Sequence, residues 1–194
     1  MTVRPVTTLD FDGVICRPIL GWNVGISREF LDPEAAPRPA SVPPRWFSRP
    51  ADYLRFNFRR PLPGVARALE ELHDIREVVI LTGRRTDPGP WLRRHGLEGS
   101  IDRIVVNSTE LRSAHFKLHM VRQLEAAEHL DDDGRTVQLL AQRSPTRIYL
   151  RDWPRNRGLP FTAGVTRVAD LADFVRRLGA QTADASRASE RNVS

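Results

Sequence analysis

Short apolar segments with strand character alternate with helical segments along most of this chain, and this alternation constrains the fold more than any other feature. Strands are predicted in VTTLDF, EVVILT, DRIVVNS, TRIYLRD and AGVTRV. Helices are predicted in PLPGVARALEELHD, PGPWLRRHG, SAHFKLHMVRQLEAAEHL and DLADFVRRLG, the last ending at Gly179, and DDDGRTVQLLAQRS predicts a turn followed by a short helix. This order predicts an α/β fold, a Rossmann-like three-layer arrangement of a parallel sheet with helices on both faces.

The length of 194 residues predicts one domain over 1–180. It is interrupted by an irregular insertion at about 17–61 and followed by a small, polar tail at 181–194 that we expect to be disordered. Within the insertion, RWFSRPADYLRFNFRR interleaves aromatic residues with arginines. That pattern suits either a nucleotide or nucleic-acid surface or an amphipathic packing segment, and the packing segment is favoured.

The bulk composition narrows the class of protein. A formal net charge of +6 and a pI near 10.7 favour anionic partners such as phosphates or nucleic acid. The sequence has no apolar run of the roughly 20 residues that a membrane span needs, so no membrane association is expected. A single cysteine, Cys16, cannot form an internal disulfide, and we expect a cytoplasmic protein.

Polar side chains stand at the ends of several predicted strands. Asp10 and Asp12 follow the first strand, Thr82 ends the second and precedes Gly83, and Asp152 follows the segment TRIYLR. Because ligands of parallel sheets bind beyond the carboxyl ends of the strands, these groups are expected to converge at one edge. A further candidate is Lys117, the one lysine among 30 basic residues, since a compact ammonium fits tight sites that a guanidinium does not.

Over roughly residues 6–175 the chain resembles the haloacid-dehalogenase superfamily of phosphotransferases. LDFDGVI matches the aspartate motif of that superfamily and VVILTGR its Ser/Thr motif. Lys117 lies in the helix before the predicted fourth strand, where the family keeps its basic residue, and IYLRDWPRN is similar to the acidic motif. The resemblance also implies that the insertion is a small cap or flap over the site.

The resemblance implies a role for each matched residue. Asp10 is the expected nucleophile, and Asp12 the group that protonates the leaving oxygen and later activates water. Thr82, Gly83 and Lys117 are expected to bind phosphoryl oxygens, with Lys117 also positioning the nucleophile. The expected ligands of an Mg²⁺ ion are Asp10, the backbone carbonyl of Asp12, and Asp152. Dehalogenases of the superfamily lack the second aspartate, so Asp12 favours phosphoryl transfer.

The chain departs from the family at Arg151, which stands where many relatives have the first of two adjacent acids. Arg151 is open to three interpretations: it binds substrate phosphate, it points away, or it weakens the metal site.

The segments LTGR, HFK and IYLRDWPRN have a weaker resemblance to phosphatase-like domains of RNA-repair proteins. This resemblance is a hint about the class of substrate only. The function predicted is Mg²⁺-dependent hydrolysis of a phosphorylated small molecule, a nucleotide or a nucleic-acid end. The alternative is an inactive module that binds a phosphorylated ligand or nucleic acid; the oligomeric state is not predicted.

Three further features have competing interpretations. His115 and His119 have a spacing that can bind zinc, but their angular offset from Lys117 favours solvent or packing. The DDDG segment at 131–134 is either a cation site or a charged turn that caps the next helix, and the cap is favoured. Arg84, within the Ser/Thr motif, is expected to have a structural or rim role.

Overall fold

Six parallel strands form the centre of the fold. The computed structural model describes residues 4–18, 30–33, 59–162 and 164–191. The strands are Val6–Leu9 (β1), Glu77–Thr82 (β2), Arg103–Val106 (β3), Glu128–Asp131 (β4), Arg147–Arg151 (β5) and Val165–Val168 (β6). The strand order is β3-β2-β1-β4-β5-β6, and every neighbouring pair is parallel. The predicted three-layer α/β fold with a Rossmann-like parallel sheet is confirmed.

Within the described residues, five α-helices cover the two faces of this sheet. These helices are Val65–Ile75 (α1), Gly89–Arg94 (α2), Ser113–Gln123 (α3), Gly134–Arg143 (α4) and Leu171–Arg191 (α5). The helix α1 packs against α5 on one face, and α3 packs against α4 on the other. Each face has its own apolar core, one built around residues such as Leu69 and Phe174 and the other around Phe116 and Leu140.

The sheet has its topological switch point between β1 and β4. From β1 the chain first adds β2 and β3 on one side and then crosses back to add β4, β5 and β6 on the other. Connections diverge there on both sides of the sheet, which leaves a crevice at the carboxyl ends of the two strands. The fold therefore predicts a ligand site beside the residues that follow β1 and β4.

The strand β4 was not predicted, and the predicted helix over 113–130 is wrong in its last part. The helix α3 ends at Gln123, and Glu125 reverses the chain with a φ of 47°. Glu128 then enters the sheet, where it is fully buried and accepts hydrogen bonds from Thr7 (2.7 Å) and Arg76 (3.2 Å). The residue types of this segment favour a helix by local propensity. It forms a strand because polar partners from other parts of the fold satisfy the buried Glu128 carboxylate.

The end of the chain also differs from the sequence prediction. The helix α5 continues through Gly179 to Arg191, so the predicted stop is wrong, and helical backbone covers most of the segment predicted to be a disordered tail. A glycine costs a helix only about 1 kcal/mol, and the following residues include several alanines and arginines, which are good helix formers.

Most of the predicted insertion at 17–61 lies outside the described residues, so the small cap and its aromatic and arginine-rich segment stay predictions. Within the described ranges, no helix is both long and apolar enough to cross a bilayer.

Candidate active site

Two carboxylates meet at the switch point because β1 and β4 are in register. Leu9 pairs with Leu130, and the Asp10 backbone N–H donates to the Leu130 carbonyl at 2.9 Å. Asp10 and Asp131 are therefore the first residues on either side of the crevice. Both are buried, and Asp132 beside them is 2% exposed.

Lys117 joins the two carboxylates. Its Nζ donates to Asp10 Oδ1 at 2.6 Å and to Asp131 Oδ2 at 2.7 Å. Burial alone would lower the pKa of the Lys117 ammonium, but the two carboxylates raise it above its usual range. Burial likewise acts to raise the pKa of Asp131, yet the ammonium of Lys117 and the ring of His129 hold it well below the ordinary value. Lys117 is thus a fixed positive charge at this site.

The pKa of Asp10 is shifted in the opposite direction from that of Asp131. Loss of solvation raises the pKa of Asp10 to about 7 against the pull of Lys117, and the charges of Asp131 and Asp12 raise it further. Asp10 is therefore a much weaker acid than Asp131, the other carboxylate that contacts Lys117. A second positive charge at the site would shift it toward the ionised form.

The three buried carboxylates are suited to a divalent metal ion. Asp10, Asp131 and Asp132 each offer an oxygen atom, and these oxygens all lie within 4.8 Å of one another. Asp10 and Asp131 share the one ammonium of Lys117, so this trio carries a net negative charge when both carboxylates are ionised, and burial makes that charge costly. Hard oxygen donors with a net negative charge are the ligands that Mg²⁺ prefers.

Asp12 lies nearby but has different partners. Arg84 contacts both of its oxygens, with Nη2 to Oδ1 at 3.0 Å and Nε paired with Oδ2, and Arg59 forms a second ion pair with Oδ1. Burial acts to raise the pKa of Asp12, but the two guanidinium groups hold it below the ordinary value. Asp12 is therefore ionised in the state that the structure shows.

Thr82 ends β2 at the same edge of the sheet. Its side chain is buried, and its Oγ1 accepts a hydrogen bond from the Arg84 backbone N–H at 3.2 Å. Gly83, the next residue, packs against Ser113, the first residue of α3. A Cβ on Gly83 would lie 2.0 Å from Ser113 Oγ, so only glycine allows the two segments to come this close. The Ser/Thr motif thus has its expected place at the carboxyl end of β2.

Gly13 lets the first motif pack against the acidic cluster. It has a φ of 76°, and a Cβ on it would lie 1.7 Å from Asp132 Oδ2. A side chain at position 13 would therefore occupy the space of the Asp132 carboxylate.

Asp152 is the predicted metal ligand that the structure does not place in the acidic cluster. It follows β5, which is separated from β1 by β4, and neighbouring strands lie about 4.8 Å apart. Its half-exposed carboxylate accepts a hydrogen bond from Arg167 Nη1 at 2.6 Å. Arg151 donates to the Gly13 carbonyl and lies over the Trp153 ring at 4.1 Å. The acidic residues at the carboxyl end of β4, which is adjacent to β1, are Asp131 and Asp132, for which the sequence favours a helix cap.

The cap interpretation of the DDDG segment holds only for its third aspartate. Asp133 is the N-cap of α4, where its side chain accepts from Arg135 N at 3.2 Å and from Thr136 Oγ1 at 2.9 Å. A sequence signal for the other two existed. LDDDG at 130–134 repeats the pattern of LDFDG at 9–13, with an apolar residue before the acids and a glycine after them.

His129 connects the acidic cluster to β1. It is fully buried, its Nδ1 lies 2.8 Å from Thr8 Oγ1, and its Nε2 lies 3.2 Å from Asp131 Oδ2. Burial lowers the pKa of His129, so the ring carries one proton, and the acceptor-only carboxylate requires that proton on Nε2. His129 therefore accepts from Thr8 and donates to Asp131. His115 and His119 lie outside the acidic cluster that the described residues form.

Solved structures with the same fold are known. A haloacid dehalogenase-like hydrolase from Streptococcus pneumoniae is 14% identical with a TM-score of 0.61, over 92% of this chain and 100% of that chain. CbbY from Rhodobacter sphaeroides, in complex with phosphate, is 15% identical with a TM-score of 0.61, over 88% and 96%. D,D-heptose 1,7-bisphosphate phosphatase from B. bronchiseptica, complexed with magnesium and phosphate, is 16% identical with a TM-score of 0.56, over 91% and 99%.

These similarities establish the fold. The chain has the haloacid dehalogenase-like fold, and the resemblance predicted from the motifs is confirmed at that level. An L-2-haloacid dehalogenase from Xanthobacter autotrophicus also matches, with a TM-score of 0.53, so the fold alone does not determine the chemistry. No protein-family model and no curated protein matches the sequence.

Proposed function

We propose that the protein is a Mg²⁺-dependent phosphomonoester hydrolase that acts through an aspartyl-phosphate on Asp10. The observation that carries the proposal is the contact of the Asp10 carboxylate with Lys117, beside two further buried carboxylates, at the switch point of the sheet. Solved neighbours with this fold include phosphatases, one of them complexed with magnesium and phosphate.

The chain's own groups account for the first half of the reaction. An oxygen of Asp10 attacks phosphorus, a carboxyl O–P bond forms, the bond between phosphorus and the ester oxygen breaks, and the leaving alkoxide takes a proton from water. Lys117 fixes the orientation of Asp10 through a 2.6 Å hydrogen bond and offsets charge on the phosphoryl oxygens. The Thr82 hydroxyl and the backbone N–H of Gly83 are the proposed further donors to those oxygens.

Asp12 is proposed for the second half of the reaction. Its ionised carboxylate can accept a proton from the water that attacks the aspartyl-phosphate, which restores the Asp10 carboxylate and releases phosphate. Donation of a proton to the leaving oxygen, the other predicted role of Asp12, is opposed by Arg59 and Arg84, which stabilise its ionised form. That role stays a prediction.

Asp10, Asp131 and Asp132 are the residues that we propose hold the metal ion, with the Asp12 carbonyl as a predicted further ligand. A bound Mg²⁺ would supply positive charge that reduces repulsion between the phosphoryl group and the carboxylates. In this proposal Asp131 and Asp132 replace Asp152. The phosphorylated substrate is a small molecule or nucleotide; a nucleic-acid end and a cytoplasmic location stay predictions, as does a substrate contact from Arg151.

Hydrolysis of p-nitrophenyl phosphate tests the proposal. Activity should require Mg²⁺, fall by at least 10³-fold in Asp10→Asn, and remain within about threefold in the control Asp152→Asn. A denaturing quench during turnover, followed by mass spectrometry, should find phosphate on the peptide that contains Asp10. Full activity of Asp10→Asn would exclude it as the nucleophile. Tight phosphate binding without turnover would instead favour the non-catalytic module.

A further inference from the structure

The side chain of Arg151 reaches from β5 to the turn that follows β1. Arg151 is the last residue of β5, and its Nη1 donates to the Gly13 carbonyl. Since β4 lies between β1 and β5, and neighbouring strands are about 4.8 Å apart, this contact spans two strand spacings. The guanidinium also lies over the Trp153 ring, 4.1 Å from its centroid, which restricts the side chain further. Arg151 thus ties the aspartate motif to the far side of β4.

The turn that Arg151 contacts packs directly on the acidic cluster. The Gly13 backbone N–H donates to the Cys16 carbonyl at 2.8 Å, which closes the turn, while the Gly13 carbonyl accepts from Arg151. Gly13 lies so close to Asp132 that a Cβ on it would be 1.7 Å from Oδ2. A displacement of this turn would therefore open space beside the Asp132 carboxylate and release its orientation.

Asn156 links the same two segments through the backbone. This residue is 2% exposed, and its Nδ2 donates to the Asp132 carbonyl at 3.0 Å and to the Arg151 carbonyl at 3.2 Å. The two bonds use both N–H donors of the amide, so Asn156 fixes the backbone of Asp132 relative to the end of β5. A ring of contacts therefore closes around Asp132, and its other members are Gly13, Arg151 and Asn156.

An arginine suits position 151 by its length and by its donors. An aspartate or glutamate there would be shorter and, when ionised, would offer only acceptor oxygens, so it could not bond to the Gly13 carbonyl. A contact across β4 to a backbone carbonyl requires a long side chain that ends in N–H groups. The residue at which the chain departs from the family pattern thus makes a contact that an acid at this position could not make.

We propose that Arg151 is a positioning residue of the metal site, which holds the turn at Gly13 against Asp132 and so fixes the orientation of that carboxylate. The Gly13 carbonyl is one peptide unit away from the Asp12 carbonyl, the predicted further ligand, so the same contact restricts that oxygen as well. Arg151 acts through these groups and not by contact with the metal ion or the substrate. This inference rests on the proposed function, in which Asp132 is a metal ligand.

Calorimetric titration with Mg²⁺ tests this role without any turnover. In Arg151→Met the affinity for Mg²⁺ should fall about tenfold, the size of effect that is typical of residues that orient metal ligands. Loss of the Arg151 charge by itself predicts the opposite sign, because removal of a nearby positive charge reduces repulsion of the metal ion. A Mg²⁺ affinity that rises, or that falls by less than about threefold, overturns the proposal.

Arg122→Met is the matched control. Arg122 also donates to a backbone carbonyl, that of Arg143 at 2.9 Å, but it lies in the last turn of α3, which leads into β4 at the opposite edge of the sheet. Its loss should leave the Mg²⁺ affinity within about twofold, even if the melting temperature falls. An equal loss of affinity in both variants would indicate general destabilisation and overturn the proposal. If Arg151→Met fails to fold, Arg151→Gln decides by the same criterion, since its shorter amide cannot span β4.

Phosphate binding separates this role from a direct substrate contact. At saturating Mg²⁺, calorimetric titration with inorganic phosphate should give affinities within about threefold for the wild type and Arg151→Met. Loss of a guanidinium that contacts the phosphate would instead weaken its binding by about tenfold or more. A phosphate affinity that falls by this amount, with an unchanged Mg²⁺ affinity, overturns the proposal.

The outcomes also separate this inference from the proposed function. Weaker Mg²⁺ binding in Arg151→Met, with no hydrolysis of any phosphomonoester by the wild type, would keep the positioning role and overturn the enzyme. Hydrolysis by the wild type with unchanged Mg²⁺ binding in Arg151→Met would keep the enzyme and overturn the positioning role. A wild type that binds no Mg²⁺ overturns this inference whatever its activity.

Discussion

Replacing Asp131 with asparagine tests the assignment of the acidic cluster most directly. Asp131 is fully buried; its Oδ1 accepts from Asp133 N at 2.9 Å, and its Oδ2 accepts from Lys117 Nζ at 2.7 Å and from His129 Nε2 at 3.2 Å. An amide keeps the shape of the side chain but has only one acceptor oxygen. Its NH₂ group must then face at least one of these donors.

The expected loss of stability in Asp131→Asn follows from the ion pair between Asp131 and Lys117. At 2.7 Å and an effective dielectric constant of about 20, the attraction between Asp131 and Lys117 is about 6 kcal/mol before desolvation. Asp10 remains as a second partner for Lys117, so we expect a net loss of about 3 kcal/mol in the free energy of unfolding. For a chain of this size, that loss lowers the melting temperature by about 6–12 °C.

The assay is thermal unfolding at neutral pH with and without Mg²⁺, with Asp152→Asn as the control. The Asp152 carboxylate is 35% exposed and pairs with Arg167, so its loss should cost less than about 1 kcal/mol. Mg²⁺ should raise the melting temperature of the wild type and of Asp152→Asn, but far less that of Asp131→Asn. An Asp131→Asn protein with wild-type stability and a wild-type response to Mg²⁺ would refute the assigned cluster.

The pH dependence of this effect has a definite sign. Because the pKa of Asp131 is lowered on folding, its ionised form stabilises the native state at neutral pH. That contribution is lost as the pH falls below the range in which an unfolded aspartate titrates. The stability of Asp131→Asn should therefore approach that of the wild type in acid, whereas a constant difference down to pH 3 would contradict the pKa assignment.

Three further outcomes are expected. Because the pKa of Asp10 is raised to about 7, Mg²⁺ should bind about tenfold more tightly at pH 8 than at pH 6 by calorimetry, and Asp10→Asn should remove that dependence. Gly13→Ala should lose most Mg²⁺ binding while remaining folded by circular dichroism, because its Cβ would displace the Asp132 carboxylate; unchanged metal affinity would count against this packing. His129→Phe should lower Mg²⁺ affinity by about 10–100-fold through loss of the hydrogen bond that orients Asp131, and wild-type affinity would show that this bond does not matter.

Much of the fold could be predicted because its signals are local. The segment EVVILT is a continuous run of β-branched and apolar residues, and the structure has β2 over the same residues. Asp10, Thr82 and Lys117 could likewise be singled out, since strand ends in a parallel sheet share one edge. The catalytic and binding roles of these residues stay predictions.

The sequence by itself determined that strands alternate with helices and that two aspartates end the first strand. Only the tertiary structure decided which later acids join them. Local propensity favours a helix for the residues before Asp131, but Thr7 and Arg76 satisfy Glu128 across the sheet and make the segment a central strand. The position of Arg59 beside Asp12 was likewise decided by the tertiary structure. It depends on contacts with residues that are distant in the sequence, and no local pattern encodes such contacts.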